Sequence, residues 1–129
     1  MKLSMKLFLA ITSIFLLFNV THANDNAIGF DTVESAHQAL DSDPDAVLTE
    51  YEGWKVYKKK LDGTYELWSF TPFVHAANPT VVKRTIQQKG GELTIVMSAL
   101  CEAATNVCDD LIEDFKEINR NIKARYQGG

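Results

Sequence analysis

The chain has 129 residues, with 17 Asp and Glu against 13 Lys and Arg, a formal charge of −4, and hydrophobic residues at 46% of its positions. This length suits one domain with a modest core. The acidic balance argues against a general nucleic-acid-binding protein, because a polyanion would be repelled.

The first 23 residues have the pattern of a secretory signal peptide. Lys2 and Lys6 precede an apolar stretch at residues 7–20, and residues 21–23 have the small-x-small form of a cleavage site. We predict cleavage after Ala23 and a periplasmic or secreted protein. The alternative is an uncleaved membrane anchor, for which about 14 apolar residues would be short. Loss of the two leader lysines changes the formal charge to −6.

The next segment predicts a flexible lead-in at residues 24–31 and a first helix at residues 32–40, which begins a single domain over residues 32–129. Thr32 is a suitable N-cap. One stripe of this helix would carry Val33, Ala36, His37 and Leu40. Residues 41–45 break the helix, and residues 46–51 are interpreted as a further helical turn. Residues 25–52 hold eight acids and no Lys or Arg, which predicts a solvated face or, alternatively, a site for a basic partner.

Four strands are predicted from residue alternation, at residues 54–59, 64–71, 80–88 and 93–100. Tight turns join the first pair and the last pair, whereas residues 72–79 form a loop. Both faces of the last strand are apolar, as expected for a strand covered on both sides.

A long C-terminal helix is predicted to begin at Thr105 or Asn106. Its apolar stripe would be Val107, Leu111, Phe115, Ile118 and Ile122. Acidic residues crowd its early turns and basic residues its late turns, an order that complements the helix dipole. The predicted fold is α+β, a four-stranded antiparallel meander with the long helix across one face and the short helix beside it. A strongly curled sheet approaching a half-barrel is the alternative.

Cys101 and Cys108 lie between the last strand and this helix, seven positions apart. In one continuous helix their Cα atoms would be about 10.5 Å apart, whereas a disulfide needs less than about 7 Å. They are therefore either unpaired thiols on one helix, or a disulfide between the end of the strand and the first helical turn. Export favours the disulfide.

An aromatic segment after the second predicted strand is the best candidate for a binding groove. Trp68, Phe70 and Phe73 would be hydrophobic anchors. The polar contacts would be His75, Lys83 and Arg84. The competing interpretation places Trp68 and Phe70 in the core and makes His75 a hydrogen-bonding loop residue.

No motif predicts catalysis, a metal or a cofactor. The soft ligands outside the leader are His37, His75, Cys101 and Cys108, which lack zinc-site spacing. A nucleophile elbow, a phosphate-binding loop and a dinucleotide fingerprint are absent from the sequence. The carboxylates of the long helix, Asp109, Asp110, Glu113 and Asp114, predict a solvated face.

A set of residues between positions 68 and 109 forms a distinctive pattern. It comprises Trp68, Ser69, Phe70, Thr71, Pro72, His75, Pro79, Val82, Lys83, Arg84, Ala99, Leu100, Cys101, Glu102, Ala103, Cys108 and Asp109. In this pattern the chain resembles small uncharacterised exported proteins of proteobacteria. The resemblance implies an exported protein with two cysteines, and no activity follows from it.

The sequence therefore predicts an exported binding protein without catalytic activity. Its partner would be a protein or small ligand in the cell envelope or outside, with no nucleic acid bound and no membrane span after cleavage. Two alternatives stay open: a small secreted hydrolase or effector that uses His75, and an acidic inhibitor of a basic enzyme.

Overall fold

A computed structural model describes residues 28–128, so the predicted signal peptide lies outside the described residues. The elements in chain order are α1 (Val33–Asp41), β1 (Ala46–Tyr51), β2 (Trp54–Leu61), β3 (Thr64–Phe70), β4 (Thr80–Lys89), β5 (Glu92–Cys101) and α2 (Thr105–Gly128). The α+β prediction is confirmed. Within this part of the chain, no helix is long and apolar enough to cross a membrane.

The sheet has five strands, not the four that were predicted, in the meander order β1-β2-β3-β4-β5. The prediction of a helical turn at residues 46–51 was wrong, because this segment is β1 and pairs antiparallel with β2. Its Val, Thr and Tyr residues favour a pleated strand. A two-residue turn at Glu52 and Gly53 joins the strands, and both residues have positive φ, 48° and 84°. That is the backbone conformation that a tight hairpin requires.

The two helices lie on opposite faces of the sheet. The sheet face covered by α1 is here called the α1 face, and the other the α2 face. The α1-face core consists of Ile28, Val33, Ala36, Leu40, Tyr57, Trp68, Phe70 and Val81. The α2-face core consists of Ala77, Val82, Leu111 and Phe115, with Trp54, Met97, Ala99, Cys101 and Val107 packed against it. The prediction that the helices lie side by side was therefore wrong, since both sheet faces carry apolar rows and each needs a cover.

The residues just before α1 pack into the α1-face core. Ile28 is buried, and the Phe30 ring contacts the Trp68 ring edge-on at 5.8 Å. Thr32 is the N-cap of α1, as predicted: its side chain accepts a hydrogen bond from the Ser35 backbone N–H at 3.0 Å, and Ser35 completes a capping box.

The predicted disulfide between Cys101 and Cys108 is present, with a Cα–Cα distance of 5.9 Å. The chain turns after Cys101, and α2 begins at Thr105, as the geometric argument required. The bond therefore fastens the end of β5 to the first turn of the helix that covers the α2 face.

Candidate functional site

An open cavity of about 730 Å³ lies where α1, the β1–β2 turn and the β3–β4 loop meet. It is here called the loop cleft. Its lining residues are Val33, Glu34, His37, Glu52, Gly53, Lys55, Phe70, Thr71, Pro72, Phe73, Val74, Asn78, Pro79, Thr80 and Glu102. A cleft of this size and mainly apolar lining fits the general character of a binding site.

The β3–β4 loop, residues 71–79, is held in shape by its own hydrogen bonds. The backbone N–H groups of His75 and Asn78 donate to the carbonyls of Pro72 and His75, each at 3.0 Å. The Thr71 hydroxyl donates to Asn78 Oδ1 at 3.0 Å and accepts from the Thr80 backbone N–H at 3.1 Å. The loop is therefore an ordered wall of the cleft.

Two large apolar side chains stand at the tip of this ordered loop. Phe73 and Val74 are each 91% exposed. Loop tips are usually polar, and adjacent exposed Phe and Val side chains leave apolar surface in water. Their exposure therefore makes the loop tip a candidate contact surface.

Two contacts fix the walls of the cleft against each other. Glu102, just after β5, accepts a hydrogen bond from the Val33 backbone N–H at 2.5 Å, which satisfies a donor at the start of α1. Gly53 lies against the loop: a Cβ there would come within 3.1 Å of Pro72 Cβ, and its φ of +84° also favours glycine.

His37 is the histidine of the cleft. Its Nε2 lies 3.1 Å from the Tyr57 hydroxyl, and that hydroxyl donates its proton to Asp41. Because the Tyr57 hydroxyl donates its one proton to Asp41, it accepts the hydrogen bond from His37 Nε2–H. Burial, followed by the hydrogen bond to Asp41, raises the pKa of Tyr57 well above its usual value.

Hydrogen-bond acceptors and negative charge dominate the polar lining of the cleft. Glu34, Glu52 and Glu102 supply three carboxylates, and Lys55 is the one lysine among the lining residues. Such a lining suits a ligand that presents N–H donors or a positive charge.

Neither a model of a known protein family nor a curated protein nor a solved structure matches this chain.

The residues predicted for a groove are distributed over three places. Phe70 and Phe73 both line the loop cleft, where Phe70 is 6% exposed. Trp68 and Lys83 share the α1 face, with the Lys83 ammonium 4.9 Å from the Trp68 ring centroid and 3.4 Å from Glu66.

The other two predicted polar contacts lie towards the α2 face. His75 packs edge-on against Trp54 at 5.5 Å, and its Nδ1 accepts a hydrogen bond from the Ala77 backbone N–H at 3.0 Å. Arg84 lies over the Phe115 ring at 5.1 Å. The structure thus brings together two of the six predicted residues in the cleft.

Sequence reasoning missed His37, Lys55, Val74 and Glu102 as cleft residues. His37 had a visible signal, because it lies on the stripe predicted for the first helix. Glu102 had none, since its contact with α1 joins residues that are 69 positions apart. Among the described residues, no group of three or more His, Cys, Asp or Glu side chains could hold a metal ion.

Proposed function

We propose that this protein is an exported binding protein without catalytic activity, whose loop cleft holds a segment of a partner protein. The observation that carries the proposal is the pair Phe73 and Val74, each 91% exposed on a loop that hydrogen bonds hold in place. A preorganised loop loses little conformational freedom on binding, so its exposed apolar groups can contribute most of their burial energy to affinity.

The lining of the cleft specifies the chemistry of that segment. Phe70 and Phe73 offer apolar contacts, while Glu34, Glu52 and Glu102 offer carboxylates. His37 adds an imidazole ring. The complementary segment has an aromatic or branched side chain next to Lys or Arg. The disulfide suits an oxidising compartment, which supports a periplasmic or secreted location.

The test is co-purification of the mature protein from the native cell envelope, with bound proteins identified by mass spectrometry. The variant Phe73→Ser/Val74→Ser removes the loop tip and is expected to lower recovery of the partner by roughly tenfold or more, as for loss of interface hot spots. Both side chains are exposed, so its melting temperature should stay close to that of the wild type.

Val96→Ser is the matched control, because Val96 is also an exposed apolar residue, 59% exposed, but lies on β5 outside the cleft. It should retain the partner. Equal recovery with the wild type, the loop-tip variant and this control would contradict the proposal.

A second candidate function, inhibition of a basic enzyme, is supported by the acidic side chains around the cleft, Glu34 and Glu52, which belong to the acidic stretch of residues 25–52. Salt separates the two functions: an inhibitor held by charge should lose affinity steeply as ionic strength rises, whereas a partner held by Phe73 and Val74 should not. A hydrolase that uses His75 has weaker support, because His75 Nδ1 is taken by Ala77 and no ion pair joins this ring to a described carboxylate.

A further inference from the structure

The α2 face of the sheet is only partly covered. Helix α2 packs mainly along β5, and its Phe115 ring also contacts the Trp54 ring at the start of β2, whereas the face towards β1 is less covered. On this uncovered area, here called the open α2 face, Val47 and Tyr51 of β1 are 64% and 68% exposed, and Val56 of β2 and Leu67 of β3 are half-buried. Ile118, 44% exposed, adds apolar surface on α2. Exposed apolar side chains thus occur on both β1 and α2, rather than singly.

The strand charges on the α2 side of the sheet have one sign. The strand register places Lys58, Lys60 and Arg84 on the α2 side, because Lys58 pairs with Leu67, and Leu67 pairs with Arg84. The three strand carboxylates fall on the α1 side, since Glu66 pairs with Lys59, Glu50 with Lys55, and Glu92 with Lys89. No Asp or Glu of the strands therefore neutralises this face.

Arg84 ends the row Val47, Lys58, Leu67 and Arg84 across the sheet, at the border where the Phe115 ring of α2 covers this face. It is 9% exposed, its Nε has no hydrogen-bond partner, and no ion pair joins its guanidinium to any residue of the described part of the chain. The guanidinium makes a cation–π contact with the Phe115 ring, whose centroid lies 5.1 Å from its central carbon. Arginine stays charged when buried, and a buried charge without a counter-ion is costly.

We propose that the open α2 face docks a second partner segment, an acidic one, in which apolar side chains flank an Asp or Glu whose carboxylate is received by Arg84. The guanidinium offers the paired donors that a carboxylate accepts, and Lys58 adds attraction from the same row of the sheet. The Tyr, Val and Leu surroundings match the core of a protein interface. The net acidic charge of the chain disfavours a nucleic acid as the occupant.

This docking surface differs in charge from the loop cleft, whose lining carries three carboxylates. The two proposals predict partner segments of opposite charge. They can therefore fail separately.

The test uses phage-displayed random peptides as the probe. Selection is carried out on the Phe73→Ser/Val74→Ser variant, in which the cleft is impaired and the open α2 face is intact. We expect the recovered peptides to be enriched in Asp or Glu next to Leu, Phe or Tyr. Peptides without acidic enrichment would overturn the proposal.

Affinities of the recovered peptide for point variants then locate the site. Arg84→Met should weaken binding by roughly tenfold or more, and Lys58→Gln by a few-fold, because each removes positive charge from the docking face. Lys89→Gln is the matched control, an exposed lysine on the α1 face, and should bind as the wild type does. Unchanged binding to Arg84→Met would overturn the proposal.

Folding of Arg84→Met is checked by its melting temperature, which should equal or exceed that of the wild type, because an unpaired buried charge has been removed. If this variant does not fold, the proposal is tested with Tyr51→Ser and Lys58→Gln, which should fold because both residues are exposed. Both must weaken peptide binding, and full affinity in both would overturn the proposal.

Discussion

The two faces of the sheet differ in whether their cationic side chains have a carboxylate partner. On the α1 face, Lys59 lies 2.7 Å from Asp43 and Lys83 lies 3.4 Å from Glu66, and about a quarter of each lysine side chain is exposed. On the α2 face, Arg84 is more deeply buried, and no carboxylate among the described residues pairs with it. These two lysines of the α1 face are therefore paired with carboxylates, whereas Arg84 has no such partner among the described residues.

Apolar burial follows the same division. Helix α1 and Ile28 close the α1 face over Tyr57, Trp68 and Phe70. On the other side, α2 leaves Val47 and Tyr51 in water. This comparison fits our proposal that the open α2 face and the loop cleft are binding surfaces, while the core under α1 contributes to stability.

The largest expected effect comes from comparing a residue of each face. Trp68→Ala should lower the free energy of unfolding by about 3–5 kcal/mol, because it opens a cavity beneath Phe30 and α1. Tyr51→Ser should change it by about 0.5 kcal/mol or less, since Tyr51 is mostly exposed. Urea unfolding monitored by circular dichroism measures both values. Similar losses in the two variants would break the proposed division.

The next effect concerns the disulfide that fastens α2. The variant Cys101→Ser/Cys108→Ser should lose on the order of 2.5 kcal/mol, because the bond closes a loop of about eight residues in the unfolded chain. For a domain of this size the melting temperature should fall by roughly 10–20 °C. Differential scanning calorimetry of the variant against the oxidised wild type measures the loss, and equal melting temperatures would contradict it.

Lys83 and Arg84 are adjacent in sequence but lie on opposite faces of the sheet, so removing their charges should affect stability differently. Lys83→Met leaves Glu66, which is 8% exposed, without its ion pair and should cost about 1–2 kcal/mol. Arg84→Met removes a charge that has no partner and should leave stability unchanged or raise it by about 1 kcal/mol. Chemical denaturation of both variants at neutral pH tests the contrast. A larger loss for Arg84→Met would show that its charge is compensated in the folded protein.

Alkaline pH is expected to have the smallest effect, and it acts on the α1 face. Folding raises the pKa of Tyr57 above its usual value of 10.0, mainly by burial, so the folded state holds this proton more tightly than the unfolded state. The associated stability is fully present below about pH 10 and is lost as the pH rises further. Lys59, whose pKa the hydrogen bond to Asp43 raises, acts in the same direction.

The variant Tyr57→Phe isolates the tyrosine contribution. It should lose about 1 kcal/mol at neutral pH through its missing hydrogen bonds, but its stability should fall less than that of the wild type between about pH 9 and about pH 11. Parallel urea titrations at the two pH values measure the difference. Identical slopes for the two proteins would contradict the pKa argument.

Much of the fold could be predicted because its signals are local. Thr32 was recognisable as an N-cap, and the spacing of Cys101 and Cys108 required a break before α2. Strand β1 was missed because its segment follows a helix-breaking stretch closely, and the Glu52-Gly53 turn lacks the usual Asn-Gly or Asp-Gly signal. Short edge strands of this kind depend on their pairing partner more than on their own pattern.

The site was harder to predict because it is assembled by tertiary contacts. Phe70 and Phe73 are close in sequence, so their shared location was accessible. His37 and Glu102 reach the cleft from α1 and from the end of β5, and no local pattern relates them. The unpaired state of Arg84 depends on strand register, which places every strand carboxylate on the other face.

In-cell photo-crosslinking from the loop tip tests the central claim most directly. A photoreactive phenylalanine analogue replaces Phe73 in one version of the protein and Val96, an exposed residue outside the cleft, in another. A partner held in the loop cleft predicts one dominant crosslinked protein from position 73 and none from position 96. No crosslink from position 73, or the same products from both positions, would contradict the claim.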